Sequence, residues 1–145
     1  MKGPLDHARG LALKAANDLI AGRATLATGS ALDTVCFHAQ QAVEKSVKAV
    51  LALHDVEYPW RHDLAELIEL VKPLMPTIAL YENEILDLTP FAVEVRYDAE
   101  FAPSNERAKE ALETATKIHE LIQAAIESAA PQIPPTDEQS PKDSS

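Results

Sequence analysis

Cysteine, glycine, aromatic rings and positive charge are all scarce in this chain of 145 residues. The single cysteine, Cys36, excludes an internal disulfide and a cysteine-rich zinc site. Flanked by Val35 and Phe37, it reads as a packed thiol rather than a nucleophile. Four glycines are too few for a β-rich chain with many tight turns. They also leave little room for a phosphate loop, a dinucleotide fingerprint or a nucleophile elbow, and none occurs. Lys and Arg number 13 against 23 Asp and Glu, for a net charge of −10. Such a chain gains nothing from general counterion release, so no long nucleic acid is expected as a partner, although a local basic cleft stays open. The longest aliphatic run, Ala49–Leu53, is far too short to span a bilayer, and the opening MKGPLDHARG has no signal-peptide core. No membrane association is expected, and the cytoplasm is the expected location. HExxH is absent, and no carboxylate-supported ligand pattern joins His38, His54 and His62, so neither a metal nor a cofactor is expected.

What the chain does have is aliphatic residues at helical spacing. The organising stretch is LDTVCFHAQQAVEKSVKAVLALH, Leu32–His54. Leu32, Val35, Ala39, Ala42, Val43, Val47, Val50 and Leu53 recur at steps of three and four and form one apolar stripe. Before it, Pro4 opens a first helix whose stripe is Leu5, Ala8, Ala12, Ala15 and Leu19, ending near Ala24–Thr28 with Gly29 and Ser30 in the turn. His7, Arg9, Lys14 and Asp18 read as its solvated face. After the central helix, DVEYPWRHD is a short ordered loop, because Pro59 drives Tyr58 out of helical geometry. Its Tyr58 and Trp60 suit either packing on the bundle or a partner contact.

Asp63 with Glu66 fits a capping box at the head of a third helix with Leu64, Leu67, Ile68 and Val71 inward. Pro73 and Pro76 break it. TIALYENEILDL follows, with Leu80, Ile85 and Leu88 expected inside, and then a short helix over TPFAVEVRY. Ser104 starts the last helix, whose stripe is Ala108, Ala111, Leu112, Ala115, Ile118, Ile122, Ala125 and Ile126. The reading is an all-α, up-and-down antiparallel bundle of four to five main helices plus short helical segments, over residues 1–130. Residues 131–145, PQIPPTDEQSPKDSS, bury too little to fold and read as a disordered tail.

The central helix also carries a polar stripe: His38, Gln41, Glu44, Lys45 and Lys48 share a side. Two readings compete. One is a solvated face carrying a Glu44–Lys48 ion pair. The other is a functional face, because it brings together a hydrogen-bonding ring, an amide, a carboxylate and two ammonium groups.

The run CFHAQQAVEKSVKAVLALHDVEYPWRHDLAELIELV resembles the signature half of the HEPN domains, with their AQQAxEKxxKAxL helix, short loop and HDLxxLL. LTPFAVEVRY resembles the family's next motif, LTxxAxxxRY. Together these cover about Leu32–Asp98, roughly half the chain. The resemblance implies a helical bundle, often a homodimer, that occurs beside small nucleotidyltransferases and in toxin–antitoxin modules. It also implies that the helix with Gln41, Glu44, Lys45 and Lys48 lies near His62 and Asp63, with Arg96 and Tyr97 approaching the same region. Two readings of that cluster follow: an internal ion-pair network, Glu44 with Arg96 or Lys48, that fixes helix register, or a site in which two lysines and Arg96 around an amide and an aromatic ring suit a phosphate-bearing small ligand. The candidate ligand-binding set is therefore His38, Gln41, Glu44, Lys45, Lys48, His62, Asp63, Arg96 and Tyr97, with a nucleotide as the ligand and a nucleotidyltransferase-type protein as the partner. Some family members are metal-independent ribonucleases that use an Arg followed about four to six residues later by a His. After Arg96 those slots hold Phe101, Ala102 and Pro103, and Arg61-His62 has the wrong spacing, so no catalytic residue is assigned. The expected function is a binding module. The alternative is a ribonuclease toxin with a diverged site built from Arg96, Tyr97 and His62 or His38.

Overall fold

The computed structural model describes residues 3–58, 63–92 and 102–130. It is all-α, and no strand occurs among the described residues. Two long antiparallel helices, α1 (Pro4–Ala27) and α2 (Leu32–Leu53), lie side by side. The long C-terminal helix α5 (Asn105–Ala129) packs along both. Between α2 and α5 come α3 (Leu64–Val71), a 3-10 turn over Pro76–Tyr81, α4 (Glu82–Leu86) and a 3-10 turn over Thr89–Phe91.

Local chemistry sets the boundaries. Pro4 sits in the first turn of α1, where its missing N–H costs nothing. Gly29 at φ 73 and Ala31 at φ 54 reverse the chain into α2, and the Thr28 hydroxyl bridges the turn by donating to the Thr25 carbonyl and accepting from Ser30 N. α2 ends without a glycine. Asp55 takes the left-handed conformation at φ 56. Val56 N then donates to the Leu51 carbonyl at 2.8 Å and Asp55 N to that of Ala52 at 3.0 Å, the paired bonds of a Schellman end. Asp63 caps α3 by accepting from Ala65 N, and Ser104 caps α5 by accepting from Arg107 N.

α2 is the centre of the core. Val35, Val43, Val47, Val50 and Leu51 are wholly or almost wholly buried, in one core cluster with Leu67, Ile68, Ile78, Ile85, Leu88, Ile118 and Ile122. Each such side chain contributes about 1.5–3 kcal/mol by leaving water. Cys36 is fully buried, as a packed thiol should be, and burial pushes it up to about 11. Gly22 lets three helices meet: a Cβ there would lie 2.8 Å from Leu112 Cδ2 of α5 and 3.5 Å from His38 Cβ of α2.

Two expectations need correcting. Leu80 is 75% exposed rather than inside. Its segment is a 3-10 helix with about three residues per turn, so a stripe counted at 3.6 drifts out of phase. Asp18 belongs to no solvated face: it is buried, at 9% exposure. The TPFAVEVRY helix is seen only as the turn Thr89–Phe91, and its remainder from Val93, like the 131–145 tail, lies outside the described residues. No described helix is long and apolar enough to cross a membrane.

Candidate functional site

The polar stripe of α2 divides into two groups, each gathered around one buried carboxylate. His38 and Lys45, seven residues apart and thus on one line of α2, both turn toward Asp18 of α1. The His38 Nδ1 lies 2.9 Å from Asp18 Oδ1, and Lys45 Nζ donates to Oδ2 at 2.6 Å. The Phe37 ring meets the His38 ring edge-on at 5.5 Å. Asp18 reaches this position because Gly22, one turn further along α1, allows the helices to close up.

Among the described residues, the hydrogen bonds of the second group run along α2. Lys48 Nζ donates to Glu44 Oε2 at 3.0 Å, and Gln40 Nε2 donates to Glu44 Oε1 at 3.1 Å. Gln41 Nε2 donates in turn to Gln40 Oε1 at 2.8 Å. Glu44 and Gln40 are 5% and 2% exposed, so the carboxylate is held by charge and by hydrogen bonding rather than by water. Lys48 Nζ also stands 5.4 Å from the centroid of the Tyr58 ring, within cation–π range. The half-buried Tyr58 thereby joins the loop to α2, and the His7 ring of α1 lies near it, with ring centroids 6.5 Å apart.

Of the candidate ligand-binding residues, the structure gathers His38 and Lys45 in one group and Gln41, Glu44 and Lys48 in the other. Asp63 is exposed and serves as the cap of α3. His62, Arg96 and Tyr97 lie outside the described residues, as do Trp60 and Arg61. Two participants escaped the sequence reading, Asp18 and Gln40. A signal for Asp18 existed: Leu11, Ala15, Asp18 and Gly22 fall on one line of α1, next to the buried Ala8, Ala12 and Leu19. Gln40 gave none beyond its place four residues before Glu44.

Beside the second group opens a groove of about 830 Å³, between the start of α1 and the segment after α2. Asp6, Asp55 and Glu57 line it against Lys14, with His7 and Tyr58 as its rings. No group of three or more His, Cys, Asp or Glu side chains is placed to hold a metal ion among the described residues.

The HEPN domain family model matches residues 8–125, most of the chain and all of the elements that build both groups. The chain belongs to the HEPN family. No curated protein and no solved structure matches it. The family span takes in α1, so Asp18, which lies outside the signature half, is inside the HEPN domain.

Proposed function

We propose that this HEPN chain is a binding module that acts through a protein partner of the nucleotidyltransferase type, in a toxin–antitoxin-like pair, and that it works as a homodimer. The observation that carries the reading is the neutralisation of the stripe's lysines. Lys45 is bound to Asp18 and Lys48 to Glu44. A nucleotide phosphate held by Lys45 or Lys48 would have to pull the ammonium away from its carboxylate, leaving that buried carboxylate without its lysine. The open groove between the start of α1 and the segment after α2 carries three carboxylates against one lysine. Together with the net charge of −10, it favours a basic protein surface over a phosphate. The type of partner comes from the family resemblance.

The test is calorimetric titration of the chain with a nucleotidyltransferase-type protein encoded beside it. Binding is expected to weaken with salt and with the groove variants Asp6→Lys and Glu57→Lys, while ATP alone leaves the melting temperature unchanged. ATP raising the melting temperature, with no binding to the protein, would overturn the reading.

One observation favours a second reading, metal-independent cleavage of RNA. Asp18 holds the His38 ring through Nδ1, leaving Nε2 as the other ring nitrogen on a side chain that is 22% exposed. A carboxylate-oriented imidazole is one arrangement that general acid–base chemistry uses. Single-stranded RNA cut in the presence of a chelator, with activity lost in His38→Ala and Arg96→Ala, would establish it; intact RNA would reject it.

A further inference from the structure

In a chain of net charge −10 a cation has carboxylates to choose from, and Lys45, Lys48, Lys72 and Arg107 each form an ion pair. Arg23, Lys109 and Lys117 form none among the described residues. All three line one groove of about 500 Å³, between the end of α1 and the N-terminal half of α5. Glu113 lines it too, four residues from both lysines, which is ion-pair spacing on a helix. It pairs with neither.

Arg23 is anchored without being neutralised. One of its N–H groups donates to the Thr116 hydroxyl at 3.1 Å, and that hydroxyl donates to the Leu112 carbonyl at 2.7 Å. The anchor carries no charge, so the guanidinium keeps its positive charge and its remaining N–H groups. Lys117 follows Thr116 directly in α5, which puts a second cation at the same level of the groove. Leu26 and Leu112 supply apolar lining beside them.

We propose that this groove binds a small organic carboxylate with an apolar body. The three cations stand against two carboxylates, Glu113 and Glu120, so the lining is balanced by one negative charge. A triphosphate brings several and meets both glutamates. A carboxylate brings one, and its two oxygens match the planar fork of Arg23, with Lys117 as the second cation. Lys109 lies about 12 Å along α5 from Lys117, beyond reach of the same carboxylate, and offsets Glu113. The apolar body lies on Leu26 and Leu112. The volume falls in the range of roughly 300–1,000 Å³ common for small-molecule sites. This groove is at the opposite end of α1 from the acidic groove beside Tyr58, so the proposal does not depend on the partner protein.

The test is an NMR titration of the full chain with sodium hexanoate at constant ionic strength. Saturating shifts are expected at the backbone amides of residues 23–26 and 109–120. Sodium acetate, which has the charge without the body, is expected to bind at least about tenfold more weakly. Arg23→Ala and Lys117→Ala are each expected to weaken hexanoate at least about tenfold, with spectra otherwise unchanged, because both side chains are exposed. Arg9→Ala makes the same change of charge away from this groove and is expected to leave the affinity unaltered. No saturating shift in the groove, equal affinity for acetate, or binding indifferent to Arg23→Ala and Lys117→Ala would overturn the proposal. ATP displacing hexanoate would overturn the assignment of a singly charged ligand.

Discussion

Each of the two faces of α1 carries an exception to the usual arrangement. Toward α2 the helix buries a carboxylate, Asp18; away from the core it exposes Leu13 and Ile20. The inner face can carry a charge because α2 supplies a cation and a ring, Lys45 and His38, at hydrogen-bonding distance. The outer face has no such complement among the described residues of a single chain. Burial of charge and exposure of apolar area are thus the same kind of clue: each asks what the matching group is, and only the first is answered among the described residues.

The largest expected effect lies where pairing is most enclosed. Glu44 is at 6% side-chain exposure and its Lys48 partner at 13%, so Glu44→Ala strands a largely buried ammonium. Its expected cost is ~3–5 kcal/mol in urea unfolding. Asp18→Ala should cost less, about 2–3 kcal/mol by the same measurement. Its partners His38 and Lys45 are 22% and 29% exposed and can turn to water. If Asp18→Ala proves neutral, the inner face of α1 is not held by its charge.

Cys36 is the buried ionisable group that stays neutral instead of finding a counter-charge. Burial pushes its thiol from 9.0 up to about 11, partly offset by Arg107. The unfolded chain therefore releases this proton first as pH rises. The thiol's contribution is intact below pH 9 and is lost between about 9 and 11. Wild type should lose stability over that window relative to Cys36→Ala, and a parallel pair of stability–pH curves would contradict the burial argument. The smallest effect belongs to the outer face: Leu13→Ser should change the unfolding free energy of the dilute chain by no more than about 0.5 kcal/mol. A larger loss would mean that Leu13 packs within its own chain.

Most of the fold was legible because its signals are local. The α2 stripe, the Asp63 and Ser104 caps and the limits of α1 and α5 each follow from residues a few positions apart. The Asp55 ending of α2 was not, since a left-handed Asp looks like any other until the Leu51 and Ala52 carbonyls find their donors. Leu80 misled because a 3-10 turn changes the period. The polar stripe was legible as a set of residue types, and its Glu44–Lys48 pair as an i,i+4 pair. The role of Asp18 was not, because its partners lie 20 and 27 residues away on another helix.

The central claim is that the polar stripe is closed on itself, carboxylate to cation, and that it fixes α1 against α2. The most direct measurement is a double-mutant cycle on the interhelical pair: Asp18→Ala, Lys45→Ala and both together, each unfolded in urea. The expected result is strong non-additivity, with a coupling of at least about 1 kcal/mol between residues 18 and 45. Losses that simply add, with no coupling, would mean that the pair does not join the helices and would contradict the account.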